Sequence, residues 1–257
     1  MAFMQKHLPI LLLVLGILQP LAGALAPLTG LGTPIGEATR GIDAPEQPLP
    51  VFFSIWSVIF LAYILFAIAV WRAREPWMIR IGTPLAIAGA LNVVWMLGAQ
   101  LIVSQLLDFL LLFPIAAAAW IAAYRLDTLR ELGWSPLKAL ADAASGLLAG
   151  WISVAIAISI PLTIRNNTFL GPTDLPWNML WITLITGGMA AWIFARYVSR
   201  SWWYFIALGW GLLGIVLNNW THTGMHWLGI TTGIALVLIL LLRLFRGADG
   251  STVPAQV

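Results

Sequence analysis

Apolar stretches long enough to cross a bilayer follow one another through almost the whole chain, and this succession most restricts the fold. Crossing roughly 30 Å of hydrocarbon at about 1.5 Å per helical residue takes about 20 residues. Eight stretches meet that length, near 8–26, 51–71, 79–102, 107–124, 141–163, 178–196, 203–219 and 228–244. Hydrocarbon cannot solvate peptide groups, so the spans must be helices or the strands of a closed barrel. Runs such as Ile230–Leu242 lack the apolar/polar alternation of a barrel strand. With 61% of residues apolar and only 9% charged, the sequence predicts an all-α, polytopic integral membrane bundle of about eight transmembrane helices.

The basic residues give that bundle an orientation. Alternating eight spans from a cytoplasmic N-terminus places Lys6, Arg72, Arg74, Arg80, Arg125, Arg130, Lys138, Arg196, Arg200, Arg243 and Arg246 inside, eleven of the 13 basic residues, and leaves Arg40 and Arg165 outside. Short cytoplasmic loops acquire this asymmetry, so both termini are expected in the cytoplasm of a cell with, for example, a bacterial inner membrane. Acidic Glu37, Asp43, Glu46, Asp108 and Asp174 fall outside. The net charge of +3 is then a signal of topology, and no nucleic-acid partner is expected. Lys6, His7, the apolar run after them and Ala24-Leu25-Ala26 also fit a cleavable signal peptide, which would leave seven spans. Absence of cysteine excludes disulfides and thiolate metal sites. Asn166 and Asn219 begin N-x-T sequons, relevant only for a eukaryotic source with lumenal loops.

Between the spans, Pro27 to Pro50 is a long Gly- and Pro-rich outside connection and a candidate lid. Residues 125–140 on the inside have an amphipathic pattern compatible with a short interfacial helix or with a plain connector. Gly146 and Gly150 have the G-x-x-x-G spacing of close helix contacts, although 23 glycines make such a match unspecific.

Of 15 tryptophans, Trp71, Trp77, Trp120, Trp177, Trp202, Trp203, Trp220 and Trp227 flank span ends, as an interfacial belt requires. Trp56, Trp95, Trp151, Trp192 and Trp210 lie deeper, where an indole N–H needs a partner. Counting from the outer span ends at about 1.5 Å per residue puts Trp56 and Trp95 roughly 8–10 Å down, Asn92 about 14 Å and Trp151 about 18 Å. These residues would converge in the outer half of the bilayer. A pocket there, with indole walls and one carboxamide, suits a planar, mostly apolar ligand; the competing reading is that these tryptophans only pack helices. Catalytic machinery is not apparent. Asp108 sits where a helix cap would be, and His222 and His226 are weak metal candidates without a third ligand.

At these residues the chain resembles the TspO/MBR family, the tryptophan-rich sensory proteins related to the mitochondrial translocator protein. Pro48-Leu49-Pro50 through Ser54-Ile55-Trp56-Ser57-Val58-Ile59-Phe60 is similar to that family's second-helix motif, a proline pair followed by W-x-x-L-Y. Leu91-Asn92-Val93-Val94-Trp95 is similar to L-N-x-x-W of the third helix, Leu107-Asp108-Phe109-Leu110-Leu111 to V-D-L-L-L of the fourth, and Leu148-Ala149-Gly150-Trp151-Ile152-Ser153-Val154-Ala155 to Y-L-x-W-x-x-F-A of the fifth. The resemblance covers about 1–163 as a five-helix bundle; 164–245 would add three spans, as in an extended form of the family, before a polar tail at 246–257. It implies an outward-opening pocket that binds porphyrins, and in relatives sterols or drug-like aromatics, lined here by Phe52, Trp56, Phe60, Asn92, Trp95, Trp151, Ala155 and Ser159. Phe60, Ser104 and Ser159 replace the family's tyrosine, tryptophan and asparagine, which alters polar recognition. The sequence thus leads to a membrane protein that binds a flat hydrophobic ligand, a tetrapyrrole or an isoprenoid- or sterol-like molecule, as sensor, carrier or regulator. Its expected partners are the lipid bilayer, that ligand and a second copy in a homodimer. Two alternatives stand beside it: an enzyme that degrades a porphyrin, and a structural subunit whose tryptophans only pack.

Overall fold

Proline and serine punctuate the chain into helices. In the computed structural model, which describes residues 2–35, 44–129, 133–171 and 173–248, the α-helices are α1 (Ala2–Gly23), α2 (Leu25–Thr29), α3 (Ile55–Ala73), α4 (Pro76–Leu101), α5 (Gln105–Asp127), α6 (Pro136–Asn166), α7 (Pro176–Ile193), α8 (Trp202–Thr221) and α9 (His226–Ala248). Pro76, Pro136 and Pro176 each open a helix, where the missing N–H costs nothing and the fixed φ is already helical. Ser104 and Ser135 cap α5 and α6 by accepting the amides of Leu107 and Lys138 at 3.4 and 3.2 Å. A 3-10 turn, Pro50–Ser54, leads into α3, and a π-helical stretch, Phe194–Val198, extends α7. The prolines within α1, α4, α5 and α6 leave those helices continuous.

The eight expected spans are present as eight long helices, and among the described residues seven helical segments are long and apolar enough to cross a membrane. Helix α8 is the exception. It has 20 residues and carries the polar pair Asn218/Asn219 near its end. Position compensates, since α8 packs mainly between α6 and α9.

Helix α6 is the hub. Helices α1, α3, α4, α5 and α6 form one group, α4 packing on α1 and α5, and α6 on α5 and α3; α7 and α8 then pack on the other side of α6. The contact of α6 with α8 is close because Gly146 and Gly150 face Ser201, Trp203 and the backbone of Tyr204. The glycine spacing that looked unspecific in the sequence is used here.

Polar groups tie the two ends of the bundle. At one end Asp127 accepts from Ser199 Oγ and the amide of Arg200 at 3.1 and 3.0 Å, and Arg125 Nη1 donates to the Arg80 carbonyl at 2.8 Å. The amphipathic stretch after residue 125 does not begin a separate helix: α5 runs to Asp127 and a turn follows, while 130–132 lie outside the described residues. Trp120 departs from the belt reading, because its ring packs inside the bundle against Phe194 and Tyr204 at 5.5 and 6.3 Å. Phe194 and Tyr204 stack at 3.7 Å, giving Trp120 an aromatic partner that sequence spacing could not reveal.

Candidate functional site

Three of the deep indoles meet. Trp56 of α3 and Trp95 of α4 stack with centroids 5.8 Å apart at 30°, and Trp151 of α6 stands edge-on to Trp56 at 6.4 Å. Phe53 meets Trp151 edge-on at 5.5 Å. These four rings line a cavity of about 250 Å³. Ala155 and Ser159 extend its wall along α6, one and two turns beyond Trp151, and α5 contributes Leu112 and Asp108.

Other expected site residues lie elsewhere. Phe52 does not line the cavity: the 3-10 turn directs Phe53 inward, while Phe52 packs on Trp210 at 4.6 Å. Phe60 supports the site from behind, stacked on Trp56 at 5.5 Å. Asn92 is fully buried and away from the cavity wall, since its Nδ2 donates to Gln19 Oε1 of α1 at 3.0 Å. This carboxamide pair joins α1 to α4. Ser104, and not Asp108, caps α5; Asp108 lies one turn further on and faces the cavity. Trp192 pairs with Tyr197, and Trp210 Nε1 donates to the Phe52 carbonyl at 2.8 Å, so neither belongs to the indole cluster. The His226 ring packs on Trp220 at 4.6 Å, and the described residues contain no group of three His, Cys, Asp or Glu side chains that could hold a metal.

The candidate lid contributes directly. Pro34, Ile35 and Gln47 belong to the cavity wall; Glu37, Arg40 and Asp43 lie outside the described residues. Thr33 donates its amide to the Gln100 carbonyl of α4 at 2.9 Å. Residues 44–54 are held by the later helices, a role the sequence did not suggest. Asn218 and Asn219 donate to the carbonyls of Ala44 and Pro45 at 3.1 and 2.6 Å, and the Leu49 amide donates to Gly214 at 3.2 Å. Gly214 is required there, because a Cβ would stand 2.7 Å from Pro48 and 2.8 Å from Phe52. Between these bonds, buried Glu46 receives Arg165 of α6, Nε to Oε1 at 2.9 Å and Nη2 to Oε2 at 3.4 Å. Arg165 Nη1 also donates to the carbonyls of Gly171 and Asp174. The one sequence signal for this clamp was Arg165 itself, a basic residue on the side otherwise poor in them. Asn219 is fully buried and bonded, so its sequon is not presented at the surface.

Asn219→Leu is expected to cost about 1–3 kcal/mol, because the Pro45 carbonyl would lose its partner inside the protein. Unfolding in detergent measures this; a change within about 0.5 kcal/mol of the parent would show that the carbonyl is satisfied another way.

Apolar helices of bilayer length around a cavity walled by aromatics define a polytopic helical membrane protein. The profile of a family described as TSPO-like protein matches residues 10–245. The chain belongs to that family, and the match runs through the last three long helices as well as the first five. Comparison with curated proteins and with solved structures gives no significant match.

Proposed function

We propose that the protein holds a flat, mostly apolar ligand in this cavity and acts as a sensor, carrier or regulator in its membrane, which we take to be a bacterial inner membrane with both chain termini in the cytoplasm. The observation that carries the reading is that indoles from α3, α4 and α6 surround one cavity although the residues are far apart in sequence. Ring stacking and burial would supply most of the affinity. The cavity volume of about 250 Å³ is just below the usual span of ligand pockets, about 300 to 1,000 Å³. It suits two or three fused rings, or one edge of a tetrapyrrole, better than a whole macrocycle.

Purification from the native membrane followed by an absorption spectrum tests this directly, with a co-purifying chromophore or isoprenoid as the expected result. In the same preparation Trp56→Leu should reduce affinity for that molecule about tenfold, the loss of roughly one aromatic contact and its buried area. Trp56 is only partly buried and the helix keeps an apolar side chain, so the variant should fold. Unchanged affinity would place the ligand elsewhere.

A further inference from the structure

Buried polar groups are nearly always paired, and three on this cavity's wall are not. Gln47 Nε2, Trp95 Nε1 and Asp108 Oδ1 are shut off from solvent and have no hydrogen-bond partner among the described residues. The Asp108 oxygen is the most consequential of them; it is one of the two oxygens of a half-buried side chain. Asp108 sits in the first turn of a membrane-spanning helix, against a mainly aromatic and aliphatic wall to which the described residues contribute no Lys or Arg. An ionisable side chain at such a place is costly and is usually retained to meet something.

A carboxylate in apolar surroundings is made tolerable by a proton or by a cation. Protonation removes the charge but leaves a hydroxyl still lacking an acceptor. A cationic N–H neutralises the charge and can donate to the carboxylate in a charge-assisted bond. The remaining walls fit the same occupant: Trp56, Trp95 and Trp151 supply aromatic surface for the rings that carry the cationic group.

We propose that the ligand is a flat aromatic base, protonated when bound, whose cationic nitrogen is received by Asp108 while its rings lie against the indoles. This rests on the reading of the cavity as a ligand site and adds the charge of the ligand to it. Stacking alone would accept neutral, anionic and cationic rings of one shape alike; Asp108 makes the pocket choose among them.

The experiment uses three fused-ring probes of nearly the same outline: 9-aminoacridine, cationic at pH 7.5, acridine, neutral there, and acridine-9-carboxylate, an anion. Each is titrated by quenching of indole emission in the full-length protein in uncharged detergent, with protein-free micelles as the blank. The expected order is cation over neutral over anion, the cation at least about tenfold tighter than acridine. Asp108→Asn, nearly identical in shape, should bring the cation to the level of acridine while acridine itself changes little. Equal affinities for the three in the parent protein would overturn the proposal and leave the cavity standing as a ligand site, with Asp108 carrying a proton or bonded to water. A preference for the cation that persists in Asp108→Asn would assign the charge selectivity to another group and overturn it too. Saturable binding of none of the probes would overturn both this inference and the function proposed above. The order among probes in the parent is informative even if the variant does not fold.

Discussion

Arg165→Met is expected to destabilise the protein by about 3–5 kcal/mol, because it strands the Glu46 carboxylate in the interior. The side chains of Arg165 and Glu46 are 3% and 0% exposed, so water cannot replace the lost partner. Two further contacts and the position of Glu46 sharpen the expectation. Arg165 also holds the carbonyls of Gly171 and Asp174, and Glu46 lies in the segment that delivers Gln47 to the cavity. The variant should therefore weaken ligand binding as well as folding. Glu46→Leu combined with Arg165→Met should recover much of the stability, since a buried ion pair is worth little more than apolar groups filling the same space. Denaturant unfolding of the three proteins in the same detergent checks this. A single variant within about 1 kcal/mol of the parent would mean that Glu46 finds a proton or another partner at no great cost.

Gly150→Val is expected to cost about 3 kcal/mol or more, at or above the upper end for overpacking. A Cβ at Gly150 would run into the carbonyl oxygen of Tyr204 and stand 3.0 Å from the Ala207 methyl, and backbone cannot rotate aside as a flexible side chain can. Helix α8 would have to move away from α6, slackening the bonds by which Asn218, Asn219 and Trp210 hold residues 44–54. Gly98→Ala and Gly188→Ala are the controls. A Cβ at either meets nothing within 4 Å, and the gain in helix propensity should leave stability unchanged or raise it by up to about 1 kcal/mol. If Gly150→Val unfolds at the same denaturant concentration as these controls, the close contact of α6 and α8 is not what holds the later helices in place.

Both expectations concern partners that no local reading of the sequence could identify. Glu46 and Arg165 are 119 residues apart, and neither hydropathy nor spacing joins them. Distance along each helix was legible, because rise per residue is fixed; it led to the expectation that Trp56, Trp95 and Trp151 converge, and the rings of Trp95 and Trp151 lie 5.8 and 6.4 Å from that of Trp56. Rotation about the helix axis was not. In a soluble helix the apolar stripe tells which side faces the core, but α4 is apolar all round, and lipid and protein interior make equal demands on it. Asn92 and Trp95 therefore look equivalent in sequence, one turn apart, yet Asn92 is turned to Gln19 on α1 and Trp95 to the cavity. The same blindness exchanged Phe52 for Phe53, and made Asp108 a cap when Ser104 already filled that place.

The sequence by itself determined the class of protein, the approximate limits of eight long helices, and the membership suggested by the L-N-x-x-W and related motifs. Each of these follows from chemistry that repeats along the chain or from distance along one helix. The tertiary structure alone decided which faces of those helices look at one another, that α8 reaches back to fasten residues 44–54, and that Asp108 lines the aromatic cavity. The reason is physical: in a chain this uniformly apolar, partners are selected by close steric fit at glycines and by a few polar bonds between distant residues, and neither leaves a periodic trace in the sequence.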